Sequence, residues 1–128
     1  MQHLTKAEEQ VMQCLWRIRK GFVKDILVQF PNPKPAYSTV STVFRFLVKK
    51  GFVGYKAYGK TYEYYPLVKK NEYRKDQFQY IMKDYFGNSS QKFVSFFTNE
   101  TDLSLTELKK IKDMVEEQID IQNKGKDE

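Results

Sequence analysis

The chain is poor in the residues that carry covalent and metal chemistry. One cysteine, Cys14, and one histidine, His3, stand among 128 residues. A single cysteine excludes an internal disulfide framework and any multi-cysteine metal site. His3 lies close to the start of the chain, so a Ser/His or Cys/His nucleophilic pair has little to build on. Asp25 and Glu63 have no carboxylate nearby in sequence, which leaves paired-carboxylate catalysis without support. No apolar run approaches the roughly 20 residues that span a bilayer. Charge arrives at Lys6, Glu8 and Glu9, which leaves no signal-peptide core. These absences predict a soluble, cytoplasmic protein with no membrane insertion. They also predict no enzymatic activity, no cofactor and no metal.

What the chain does have is aromatic residues and patterned apolar ones. With 41% hydrophobic and 16% aromatic residues, it suits one compact unit or a small domain with an appendage. Thr5 and Glu8 have the T-x-x-E spacing of a capping box. A helix is predicted over 5–19, with Ala7, Val11, Cys14, Leu15 and Ile18 on one stripe and Met12 and Trp16 off it. Trp16 has two readings, packing on the hairpin or on the C-terminal half. Cys14 on the stripe reads as a buried structural residue. Gly21 closes the segment in the manner of a helix-ending glycine.

A second helix is predicted over 23–30, stopped by Pro31, Pro33 and Pro35. A third is predicted over 37–50, with Val40, Val43, Phe44, Leu47 and Val48 on its inner face. The period then changes. Residues 52–58 and 61–66 are rich in Val, Tyr and Thr and flank Gly59-Lys60, a hairpin signal. Helical patterning returns at 71–86, at 89–98 and after Ser104, where Ser104 and Glu107 repeat the capping spacing. The predicted fold class is mainly α with a small β-hairpin wing. It is a winged helix-turn-helix over 1–69, a three-helix dimerisation region over 70–122 and a disordered tail over 123–128. The second block is too thin to bury its own aromatic stripes as a monomer, so a second copy is expected to cover them. The expected dimer contacts are Phe78, Ile81, Phe93, Phe97, Leu108, Ile111 and Val115.

The net charge of +6 is unevenly distributed. Residues 1–70 hold 13 Lys/Arg and 4 Asp/Glu, a net +9, while residues 71–128 hold 9 and 12, a net −3. Lys34, Arg45, Lys49, Lys50, Lys56 and Lys60 cluster in and around the third helix and hairpin, where this fold class docks on DNA. The expected DNA-binding residues are Ser38, Thr39, Thr42, Arg45, Lys49 and Lys60. Hydroxyls and cations at a recognition helix can set register on phosphates or read base edges. Arg45 has two readings, a bidentate contact to guanine or a phosphate clamp. Tyr37 reads as packing ahead of a phosphate contact. The hairpin tip from Tyr58 to Thr61 is placed to reach flanking backbone or minor groove. The alternative reading of the whole chain is a winged-helix protein-interaction module without sequence-specific DNA binding.

Four stretches carry a family resemblance. They are Leu4-Thr5-Lys6-Ala7-Glu8, with Trp16 closing its helix; Tyr37-Ser38-Thr39-Val40-Ser41-Thr42-Val43; Leu47-Val48-Lys49-Lys50-Gly51-Phe52; and Tyr62-Glu63-Tyr64-Tyr65-Pro66-Leu67-Val68. Glu72-Tyr73, Phe86-Gly87 and Asp102-Leu103-Ser104 follow in order. Over about residues 4–119 the chain resembles the BlaI/MecI/CopY penicillinase-repressor family. The resemblance implies a homodimeric repressor whose winged helix binds an inverted-repeat operator in double-stranded DNA. For the antibiotic-resistance members it also implies a membrane zinc-protease sensor, whose signal leads to cleavage at an Asn-Phe bond. This chain departs from the pattern at three places: Phe22 replaces a capping Ser/Thr, Phe46 replaces an arginine, and Phe96-Phe97 replaces the Asn-Phe pair. The paired-cysteine tail of the copper-responsive branch is missing, which excludes copper sensing through it.

Overall fold

In the computed structural model, which describes residues 1–127, the elements follow the order read from the periodicities. They are α1 (Lys6–Ile18), α2 (Val23–Gln29), α3 (Tyr37–Lys49), β1 (Val53–Tyr58), β2 (Thr61–Pro66), α4 (Lys70–Phe86), α5 (Ser90–Glu100) and α6 (Leu105–Asp127). The mainly helical class with one antiparallel hairpin is as expected. Two compact units result, Met1–Gln79 and the residues from Tyr80 onward. The sequence places a boundary at 69/70, where α4 begins. The first unit reaches further because Tyr73, one turn into α4, is buried against Trp16 and Phe52.

The T-x-x-E signature acts as a capping box. The Glu8 amide donates to Thr5 Oγ1 at 3.2 Å, and the Thr5 amide donates to Glu8 Oε1 at 3.0 Å. Glu8 is also buried, and Lys50 Nζ meets its Oε1 at 2.7 Å. Burial alone would raise the Glu8 carboxyl; the Lys50 hydrogen bond and the Thr5 donors outweigh it and hold it below its ordinary value. One acidic residue therefore caps α1 and ties it to the end of α3.

The single-stripe reading of α1 needs correction. Met12 is fully buried, and Trp16 is half-buried, with Nε1–H donating to the Val68 carbonyl at 2.9 Å. The helix is covered from several sides, by α2, α3 and β2, so its apolar surface is wider than one stripe. Gly21 serves a purpose other than ending a helix. Arg19 adopts the positive φ at the C-terminus of α1. Gly21 instead exchanges both backbone hydrogen bonds with Tyr64, at 3.0 and 2.8 Å. A Cβ there would meet Ile18 Cδ1 at 2.7 Å.

Phe22 offers α2 no side-chain acceptor, yet its amide donates to Asp25 Oδ2 at 2.8 Å. Asp25 thus supplies one half of a capping box. At the other end, Lys34 Nζ donates to the Leu27 carbonyl at 2.9 Å, satisfying a terminal acceptor. The hairpin pairs Val53 with Pro66 through to Tyr58 with Thr61. Its two-residue turn needs a positive φ at the first position, and Gly59 provides 64°. The core joins Val11, Met12, Leu15, Ile26, Val40, Phe44, Leu47, Phe52 and Val53. The ring of Phe44 stacks on Tyr64 at 4.0 Å and 4°.

In the second unit, Phe86 packs edge-on against Phe93 and Phe96 at 5.5 and 5.6 Å. Ser89 caps α5 through the Lys92 amide at 3.1 Å. Ser104 caps α6 through the Glu107 amide at 3.1 Å. Residues 123–127, read from sequence as part of a disordered tail, continue α6; Glu128 lies outside the described residues.

The Glu8–Lys50 pair makes a specific demand on stability. Because the folded carboxyl titrates below the ordinary 4.5, the pair's contribution is complete above that value and is lost as pH falls through the depressed one. Lys50→Met is expected to cost about 2 kcal/mol at neutral pH, less than a fully buried pair because Lys50 is partly solvated. Urea denaturation should show a clearly smaller loss at about pH 3; equal losses at both pH values would contradict a charge role.

Candidate nucleic-acid interface

α3 turns Val40, Phe44 and Leu47 inward. At 100° per residue this leaves Ser38, Thr42, Arg45 and Lys49 on the opposite side, with Thr39 and Phe46 on one flank. Ser38, Thr39, Thr42, Arg45 and Lys49 are all exposed. The Thr42 hydroxyl donates to the Ser38 carbonyl at 2.9 Å, which leaves its oxygen free to accept. The helix opens at Ala36 without a side-chain cap and without acidic residues in its first turn. Free amides and a positive dipole end therefore face solvent, an arrangement that suits an anion.

A groove of about 310 Å³ runs between α3 and the hairpin. Arg45 reaches it from the helix and Lys60 from the hairpin turn, with Tyr37, Tyr62 and Tyr64 as aromatic walls. Among the described residues its lining contains no carboxylate. Burial pushes the Tyr64 hydroxyl up, reinforced by Tyr62 and Tyr37 and opposed by Arg45. Tyr64 therefore stays neutral, and the groove's charge comes from its two cations. A second hollow of about 270 Å³ shares Tyr37 and Thr61 and adds Lys24.

The structure thus brings Arg45 and Lys60 onto one groove. Ser38, Thr39, Thr42 and Lys49 lie outside its lining, on the exposed surface of α3. Tyr37, read as a packing residue, is 54% exposed and walls the groove. Three lysines of the basic cluster have other tasks. Lys34 caps α2. Lys50 pairs with Glu8. Lys56 stands across the hairpin from Glu63 and 5.2 Å over the Tyr58 ring. Glu63 therefore has a cross-strand cation opposite it, one that sequence proximity did not disclose.

Tyr55 and Tyr62 were missed by the sequence reading. The signal was present as alternation, because Tyr55, Tyr62 and Tyr64 share one face of the hairpin in this register. Their rings meet accordingly, Tyr55 and Tyr62 at 4.6 Å. Cys14 is buried as expected, and burial pushes its thiol up, which disfavours the reactive thiolate. Among the described residues no group of three or more potential ligands could hold a metal, and no helix is long and apolar enough to cross a membrane.

A family model described as penicillinase repressor matches residues 4–117. Proteins named methicillin resistance regulatory protein MecI, from Staphylococcus aureus (strain N315) and Staphylococcus epidermidis, are 27% identical over 114 residues. These alignments span 88% of this chain and 92% of each relative. The corresponding protein of Mammaliicoccus sciuri is 26% identical. Among solved structures, one described as a CopR repressor is 29% identical with a TM-score of 0.44, covering 53% of this chain and 100% of its own.

Residues held out to solvent should contribute little to folding. Lys49→Ala and Lys60→Ala are expected to change unfolding free energy by less than about 0.5 kcal/mol. Phe44→Ala, which removes the stacked ring behind them, should cost roughly 3–5 kcal/mol. Urea denaturation of the three variants measures both.

Proposed function

The chain belongs to the penicillinase repressor family, as a transcriptional repressor rather than an enzyme, and we propose that it works as a homodimer occupying an inverted-repeat operator. The observation that carries the DNA half is the meeting of Arg45 and Lys60 on one groove that holds no carboxylate among the described residues. Ser38, Thr39 and Thr42 offer hydroxyls beside it, and Lys49 adds a phosphate contact. In this reading α3 lies in the major groove, and the turn at Gly59-Lys60 reaches the flanking backbone. Two such helices about a twofold axis would meet half-sites about one DNA turn, ~34–36 Å, apart. A bound repressor in the cytoplasm then blocks transcription by occupancy alone.

The dimer half rests on apolar surface. Leu108, Ile111 and Val115 recur at helical spacing on α6, and Val115 is 54% exposed. Phe78 and Ile81 are exposed on α4, while Phe93 and Phe97 are half-buried on α5. Exposed apolar surface on this scale marks an interaction site. A second copy fits because the same stripe can meet itself across a twofold axis. A membrane zinc-protease sensor is the partner that the resistance members lend to this reading. Phe96-Phe97 lies inside α5, so a protease acting there would need local opening of that helix.

Selection on a randomised duplex pool tests the DNA half. An enriched palindrome is expected, with affinity falling steeply as salt rises. Lys49→Ala and Lys60→Ala should weaken all duplexes alike and flatten the salt slope by about one unit each. Thr42→Ala should shift base preference at one position per half-site. Arg45→Ala decides between its two readings, since loss of a guanine preference marks base readout and a uniform loss marks a phosphate clamp. No enriched palindrome at low salt would sink the operator claim and favour a protein-interaction module. Sedimentation at micromolar concentration tests the dimer separately; Val115→Asp should yield monomer.

A further inference from the structure

The groove between α3 and the hairpin has more chemistry than a phosphate backbone uses. Its two cations suit any anion, and neither Arg45 nor Lys60 enters an ion pair among the described residues. Its walls are different in kind. Tyr37 and Tyr62 line it with exposed rings and Val48 adds an aliphatic side, while Tyr64 is buried with its ring stacked on Phe44. A sugar-phosphate strand satisfies the cations but has no flat apolar group to cover those rings. The volume of about 310 Å³ sits at the small end of small-molecule sites and suits one or two fused rings.

We propose that this groove binds a small planar aromatic carboxylate, and that this ligand and DNA exclude one another. The guanidinium of Arg45 takes the carboxylate bidentately, and Lys60 adds a point charge from the opposite wall. The ring lies beside the exposed rings of Tyr37 and Tyr62 and beside Val48. The same two cations are those assigned above to DNA, so occupancy by one partner removes them from the other. Such a site would make repression directly responsive to an aromatic acid, with no cut in the chain. The exclusion half rests on the DNA reading; the binding half does not.

Titration calorimetry of the full chain with 2-naphthoate, in the absence of DNA, tests the binding half. At the efficiency usual for a ligand of about thirteen non-hydrogen atoms, the expected Kd is on the order of 1 mM. The neutral 2-naphthalenemethanol should bind at least about tenfold more weakly, since it lacks the charge that Arg45 and Lys60 recognise. Val48→Phe, which fills the groove, should abolish naphthoate binding. The alcohol comparison on the unaltered chain stands even if that variant fails to fold. For the exclusion half, about 10 mM naphthoate should raise the Kd of the selected duplex about tenfold by mass action, with equal acetate as the ionic-strength control. No binding, or equal binding of acid and alcohol, overturns the site. Binding that leaves duplex affinity at the acetate value overturns exclusion. Failure to select any duplex overturns the DNA reading and the exclusion that rests on it, while leaving the calorimetric result to decide the site.

Discussion

The face-to-face stack of Phe44 on Tyr64, at 4.0 Å, is the contact on which the winged unit turns. Tyr64 is a junction. Its ring rests on α3, and its backbone exchanges two hydrogen bonds with Gly21 in the α1–α2 connection. Its strand neighbour across the hairpin is Tyr55. A two-stranded hairpin alone is marginal in water, so this one is held by what Tyr64 touches. Because Phe44 points inward, Arg45 is turned 100° around the helix and reaches the groove edge. The same stack brings the hairpin alongside, which delivers Lys60 to that groove. Loosening the stack would therefore disperse the cations as well as weaken the core.

The basic surplus serves two different ends. Lys34 and Lys50 are spent on structure: one satisfies carbonyls at the end of α2, and the other neutralises a buried carboxylate. Arg45, Lys49 and Lys60 remain exposed. The helices from Tyr80 onward have a different economy. Phe86, Phe93, Phe96 and Phe97 touch one another, yet Phe96 is still 52% exposed. Helices this few cannot enclose a core, because short elements have too much surface for their volume. Their apolar residues remain available to another surface, the condition on which the proposed dimer depends.

The elements were legible because their causes are local. A capping box, a 3.6-residue period, a proline cluster and a glycine turn act within a few residues of each other, so the sequence bounds nearly coincide with the observed ones. Met12 was misread because one stripe assumes one covering surface, and α1 has several neighbours. Gly21 was misread because its reason lies in Tyr64, far along the chain. Asp25 and Glu63 looked isolated for a related cause. Asp25 serves a backbone amide rather than a side chain, and the partner opposite Glu63 arrives only through strand register.

The sequence by itself determined the order of helices and hairpin, the basic character of the first half and the outward face of α3. These follow from composition and short-range periodicity, which need no knowledge of how the chain closes. Tertiary structure alone decided which lysines are free. The Lys50–Glu8 bond spans 42 residues and the Trp16–Val68 bond spans 52, and no local pattern encodes such pairings. It also decided that Arg45 and Lys60 share a tyrosine-walled groove. That juxtaposition depends on where an aromatic stack places a hairpin, and packing sets it only once the core has formed.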